Sequence, residues 1–199
     1  MEIIDSNELK SFNWINEPAK WLVSEDILTV TTDNKTDFWQ HTWYKFYPNT
    51  GHLFGKNIKQ DFCFSVCVEA EFTALYDQAG LMVYVDSTHW LKAGIEYNDG
   101  RPMIGSVMTN GISDWATGVF TGNPRKFWIR ISKVDDVVCV KYSTDNITWI
   151  LLRLCQFPPS EYGNVIVGPM CCSPQREGLE VKFSDFKFGI PGKDILHSN

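Results

Sequence analysis

The stretch Gln78 to Tyr97, QAGLMVYVDSTHWLKAGIEY, alternates its side chains along two runs and turns once between them, at Asp86-Ser87-Thr88. Period-2 alternation gives each run a core-facing side and an opposite side, the signature of two paired strands. Leu81, Val83 and Val85 on the first strand and Leu91, Ala93 and Ile95 on the second supply the core side. The opposite side carries Met82, Tyr84 and Asp86, then Trp90, Lys92, Gly94 and Glu96. Aromatic rings beside a cation, an anion and a glycine are the ingredients of a small-ligand platform. Gly94 removes a side chain either where a ligand approaches the sheet or where a neighbouring element packs.

The same periodicity recurs along the chain. Phe62, Phe64, Val66, Val68, Ala70 and Phe72 face one way, while Ser65, Glu69 and Glu71 face the other, as in a half-buried antiparallel strand. Trp21 to Thr31 reads as a hairpin across Glu25-Asp26, with Leu28 and Val30 inward. Asp99-Gly100 turns into a strand at Ile104 to Thr109, and Asp135-Asp136 joins Phe127–Lys133 to Val137–Ser143. A turn at Asp145-Asn146 leads to Trp149–Leu154, and Val165–Cys171 and Leu179–Phe188 close the series. Phe12 to Pro18 reads as an irregular lead-in, and Ser113-Asp114-Trp115 as a polar loop after Asn110-Gly111. About ten to twelve short strands without an amphipathic helix predict an all-β sandwich of two antiparallel sheets. No linker or shift in composition divides the chain, so residues 1–199 read as one domain. Asp33 to Gly55 has neither period and is rich in aromatic residues, which predicts a binding loop contributing Lys35, Asp37, Phe38, Trp39, Thr42, Tyr44 and His52.

Charge and cysteine usage narrow the function. A net charge of −6 with no basic run argues against nucleic acid and anionic membrane surfaces as partners. The N-terminus lacks the pattern of a secretory signal, and no apolar run approaches the ~18 residues of a membrane span, so the expected location is the cytoplasm. Cys63 and Cys67 lie four apart on one strand, roughly 13 Å by strand rise, and cannot bridge each other. Cys171 and Cys172 point to opposite faces. All six cysteines read as free thiols. His41, His52, His89 and His197 show no metal spacing, and Asp86, Asp99 and Asp114 would need the fold to assemble them. Neither a metal nor a cofactor is expected.

An ordered series of segments carries a family resemblance: KTDFW at Lys35–Trp39, YDQAGLMVYVD at Tyr76–Asp86, WLKAGIEY at Trp90–Tyr97 and SDW at Ser113–Trp115. YSTDNITW at Tyr142–Trp149, VGPMCCSP at Val167–Pro174 and FSDFKF at Phe183–Phe188 continue it. Nearly the whole chain resembles the family named after "regulation of enolase protein 1", and the fold is similar to the sandwich domain appended to certain β-xylosidases. The resemblance implies a concanavalin-A-like jelly roll with a concave sheet face. It also implies a site at Trp39, Gln78, Trp90, Lys92, Glu96, Asp114 and Trp115, to which strand alternation adds Tyr84.

Three functions follow from these residues. The first is binding of a small carbohydrate or related polar metabolite, with tryptophans stacking on the sugar and Gln78, Lys92, Glu96 and Asp114 taking its hydroxyls; Lys92 suits an acidic group. The second is glycoside hydrolysis, which asks for two carboxyl groups roughly 5–9.5 Å apart. Glu69 and Glu71 are about 6.6 Å apart by strand rise. Glu96 is the other candidate, with Lys92 expected to hold it ionised. The third is a protein contact through exposed aromatics, with a glycolytic enzyme as the partner the family name suggests. Binding without catalysis is the reading the residues favour.

Overall fold

The computed structural model describes residues 1–157 and 164–197. Its strands, numbered in chain order, form two sheets with antiparallel pairing throughout. One runs β13 (Ile150–Gln156), β12 (Val137–Ser143), β11 (Lys126–Val134), β6 (Phe62–Ala70), β15 (Glu180–Gly189), β4 (Ile27–Thr31) and β3 (Lys20–Ser24); β1 (Glu2–Ile3) also pairs with β15. The other runs β10 (Ile112–Val119), β9 (Arg101–Asn110), β8 (His89–Asn98), β7 (Gln78–Asp86), β14 (Val165–Cys172), β5 (His52–Ile58) and β2 (Asn13–Ile15). A single helical turn, α1 (Ser6–Leu9), is capped by the Asp5 carboxylate, which accepts from the N–H groups of Asn7 and Glu8.

The turns form for the reason the sequence suggests. Glu25 and Asp26 have φ of 51° and 61°, and Asp99 and Gly100 have 52° and 79°. Positive φ at both central residues matches the twist of the flanking strands. The strands outnumber the ten to twelve expected because β1 and β2 are too short to show alternation, β2 lying within the supposed irregular lead-in, and because β5, which begins inside the predicted binding loop, and β10 were not expected as strands. Ser113-Asp114-Trp115 is strand rather than loop. Gly111, at φ 76°, makes the tight turn, and the three residues pair with Thr109, Met108 and Val107.

The core fills the space between the sheets. Phe62, Phe64, Val66 and Val68 meet Leu81, Val83, Leu91, Ala93 and Ile95 there, all buried. Alternation therefore sends Gln78, Gly80, Met82 and Tyr84 of β7 and Trp90, Lys92, Gly94 and Glu96 of β8 to the outer face. Register lines these up in rows: Gln78–Glu96–Met103, Gly80–Gly94–Gly105, Met82–Lys92–Val107 and Tyr84–Trp90–Thr109. The glycine row brings strands close together. A Cβ on Gly94 would lie 2.0 Å from the Ala79 carbonyl oxygen, and one on Gly80 would lie 1.9 Å from that of Ala93.

The outer face is not left bare. The connection between β4 and β5 folds across it, and Phe38 and Trp39 pack with Leu53, Met82, Tyr84, Trp90, Val107, Met170 and Cys172 into a second apolar cluster. Ser113 fastens this connection: its Oγ accepts the Gln40 N–H at 2.9 Å, its N–H donates to the Gln40 carbonyl at 2.9 Å, and its carbonyl accepts the Thr42 hydroxyl. Gln40 Nε2 also donates to the Ser87 carbonyl at 2.8 Å. The loop thus spans the upper rows of the sheet and leaves the glycine and Gln78–Glu96 rows beside an opening.

Candidate ligand pocket

That opening is a cavity of about 330 Å³, at the small end of the range for ligand sites, roughly 300–1,000 Å³. Trp39, Tyr44, Phe46, Pro48, Tyr76, Trp115 and Pro174 form its walls, and Lys35, Asp37, Gln78, Lys92, Glu96 and Gln175 contribute polar groups. A shallower extension runs along Gly94 and Gly105 between Glu96 and Trp115. Gly94 lets the neighbouring strand approach, as its packing reading expects, and it lines this trough above the sheet.

Of the residues singled out in the sequence, Trp39, Gln78, Lys92, Glu96 and Trp115 line the cavity. Three others do not. Trp90 is 0% exposed beneath Phe38, and its indole N–H donates to the Ser87 carbonyl. Tyr84 lies in the same cluster with its hydroxyl against the Asn49 side chain. Both are on the predicted face, but the loop covers them. Asp114 alternates with Trp115 and so leaves on the other side of β10, where it binds Arg153 at 2.8 Å. The alternative pair Glu69 and Glu71 belongs to the other sheet's side of the molecule, in ion pairs with Lys126 and Arg125.

Lys92 is buried, and its ammonium is already occupied. Nζ donates to Asp37 Oδ1 at 3.1 Å and to the Phe38 carbonyl at 2.7 Å, and it lies 5.6 Å from the centre of the Trp90 ring. Burial pushes its pKa down, but Asp37, Cys172 and Glu96 push harder the other way, so it stays a cation. Its expected role as a receptor for an acidic ligand group is thereby corrected: two of its three N–H donors are committed within the fold, and Asp37 already supplies its counter-charge.

Glu96 departs from expectation in the opposite sense. Burial raises its carboxyl to about 7, Lys92 only partly pulling it back while Asp37 adds to the rise. The cation does not hold it fully ionised because burial outweighs the attraction to Lys92, and Asp37 opposes that attraction further. Among the described residues Glu96 takes no hydrogen bond or ion pair, while lining the cavity half-buried.

Tyr44 and Lys35 of the predicted binding loop are joined at the site by Tyr76 and Asp77, to which the sequence reading gave no role. Tyr44 and Tyr76 share a hydroxyl–hydroxyl hydrogen bond of 2.7 Å. Tyr76 and Lys35 both adopt left-handed backbone, φ 65° and 58°, a conformation costing about 1–3 kcal/mol that concentrates at functional sites. Tyr76 is held there by Asp77. That fully buried carboxylate accepts from the backbone N–H groups of Thr73 and Ala74, the Ser173 hydroxyl and the Arg176 guanidinium. Asp77 thereby ties the loop before β7 to the Pro174–Gln175 wall. Among the described residues, no group of three or more His, Cys, Asp or Glu is placed to hold a metal ion, and all six cysteines are free thiols.

Two antiparallel sheets, one carrying a loop-walled pocket on its outer face, define a concanavalin-A-like sandwich. A legume lectin-like domain from Entamoeba histolytica shares this fold, with TM-score 0.58 at 10% identity over 96% of this chain and 95% of that one. Residues 14–190 match the family described as "Protein of unknown function (DUF1349)", and the chain belongs to that family. It is 44% identical over 192 residues, 96% of each chain, to "Regulation of enolase protein 1" of Saccharomyces cerevisiae. A crystal structure of a functionally unknown protein from Saccharomyces cerevisiae superposes with TM-score 0.89 at 44% identity, over 92% of this chain and 98% of that one.

Proposed function

We propose that the pocket binds a small carbohydrate or related polar metabolite without turning it over. The observation that carries this reading is the convergence of Trp39, Tyr44 and Trp115 with Gln78, Asp37 and Glu96 around a cavity of about 330 Å³. Rings pack on the apolar face of a sugar while acceptors take its hydroxyls, and the volume suits a monosaccharide rather than a polymer. Hydrolysis of a glycosidic bond asks for two available carboxyl groups, whereas here Asp37 is engaged by Lys92 and Glu96 stands alone. Free thiols support a reducing compartment, and hence the cytoplasm. No helix among the described residues is long and apolar enough to cross a membrane.

The yeast relative's name speaks of the regulation of enolase, which supports a regulatory place in carbohydrate metabolism for a ligand-sensing protein of this kind. Trp43 and Tyr47, 85% and 67% exposed on the loop that forms the pocket wall, favour a protein contact, such as with a glycolytic enzyme, beside the ligand site.

A thermal-shift screen of the protein and Trp115→Ala against monosaccharides, polyols and sugar acids tests the ligand reading. A ligand at 100 times its Kd stabilises the native state by about 2.7 kcal/mol. A midpoint raised by one compound class and lost in the variant supports the proposal; no shift across the panel removes it.

A further inference from the structure

The pocket walls form a box. Trp115 meets Trp39 at an interplanar angle of 85°, Trp39 meets Tyr44 at 70°, and Tyr44 meets Tyr76 at 73°, with centroids 6.4, 6.0 and 6.5 Å apart. Each ring stands nearly perpendicular to the next, and the Tyr44–Tyr76 hydroxyl pair links the last two. Perpendicular rings around one space are the arrangement that cages ammonium groups, because each ring face carries negative potential.

The polar groups of the same space are biased toward accepting. Lys92 gives two of its donors to Asp37 and Phe38, and its ammonium lies 5.6 Å from the centre of the Trp90 ring. Gln78 Nε2 donates to the Tyr76 carbonyl at 3.2 Å, leaving its amide oxygen and one N–H for a ligand. Glu96 has no partner among the described residues, and Lys35 is exposed at the rim. A phosphate or carboxylate inside the box would meet the Glu96 carboxylate, while the buried ammonium beside it already has its counter-ion in Asp37. A neutral sugar would leave Glu96 without a counter-charge. A ligand that brings its own cation satisfies the rings and the carboxylate together.

We propose that the ligand carries an ammonium group, as an amino sugar or amino polyol does, seated in the aromatic box with its N–H donors on Glu96. This rests on the reading of the cavity as a small-metabolite site and sharpens it. The charged and titratable groups facing Glu96 are Lys92 on the same strand, Asp37 and Lys35 on the covering loop, Tyr44, Tyr76 and, behind the floor, Cys172. Lys92 and Asp37 offset each other, so protonation of Glu96 decides the charge that the ligand meets.

Calorimetric titration at pH 7.5, where Glu96 is mostly ionised, with glucosamine, glucose, glucuronate and choline tests the proposal. Choline is a cation at every pH and samples the box without a sugar ring. Glucosamine is expected to bind at least about tenfold more tightly than glucose, with glucuronate weakest. Choline affinity should rise severalfold from pH 6 to pH 8 as Glu96 gives up its proton. Glu96→Gln should abolish both the glucosamine preference and the pH dependence, and Trp115→Leu should weaken both cations. Glucose or glucuronate binding as tightly as glucosamine overturns the ammonium assignment while leaving the carbohydrate reading standing. No binding by any of the four compounds overturns both.

Discussion

Replacing Lys92 by methionine keeps most of the aliphatic stem and deletes only the ammonium. Three contacts go with it: Asp37 Oδ1 at 3.1 Å, the Phe38 carbonyl at 2.7 Å and the Trp90 ring face. Removing one partner of a buried ion pair costs about 3–5 kcal/mol, mostly through the charge left behind. Asp37 keeps 16% of its side-chain surface, against 4% for Lys92, so water from the pocket compensates part of the loss. We therefore expect the low end, about 3 kcal/mol, which lowers Tm by roughly 6–12 °C in a chain of this length. Adding Asp37→Asn removes the stranded charge, and the double-mutant cycle should show a coupling of about 2 kcal/mol. Urea unfolding of the four proteins measures both quantities. A single variant within about 0.5 kcal/mol of the parent, or a coupling near zero, would refute the occupied-lysine argument.

Glu96 gives the protein a pH dependence of definite sign. Its folded pKa, raised by burial to about 7, means the native state holds the proton more tightly than the unfolded chain does. That contribution is fully present below the ordinary carboxylate range and is lost as pH rises through about 7, by about 1–3 kcal/mol after allowance for its contact with pocket water. Urea midpoints at pH 5 and pH 8 should show this fall, and Glu96→Gln should flatten it; an unchanged slope in the variant assigns the effect to another group. Asp77→Ala strands the Arg176 guanidinium and two backbone N–H groups around a fully buried position, so a loss of about 3–5 kcal/mol is expected by chemical denaturation. Native-like stability of this variant would mean that the network does not hold the Tyr76 loop.

Short-range alternation made much of this legible. Leu81, Val83, Leu91, Ala93 and Ile95 had to face a core, and Lys92 and Glu96 had to share the opposite face, because side chains on a strand repeat every two residues. What covers that face is a long-range matter. Asp37 reaches Lys92 from 55 residues away, and no local pattern announces the pair. The same loop turns Trp90 and Tyr84 from platform into packing while leaving Trp39 and Trp115 at the cavity. Asp114 was misplaced for a different reason. Treating Ser113-Asp114-Trp115 as loop discarded the alternation that separates their roles: Ser113 fastens the covering segment, Asp114 leaves toward Arg153, and Trp115 faces the pocket. Tyr44 and Tyr76 carried no spacing signal, since their hydroxyl contact joins two separate loops.

The chain's tryptophans allow the central claim to be read directly, because each indole N–H gives its own signal in an ¹⁵N spectrum. Titrating the labelled protein with the tightest compound of the ligand screen should shift the Trp39 and Trp115 indoles, which line the cavity, and leave unmoved those of Trp21, bonded to Glu17, and Trp128, bonded to Asp185. Shifts confined to Trp21 or Trp128, with Trp39 and Trp115 static, would contradict the assignment of the pocket as the ligand site.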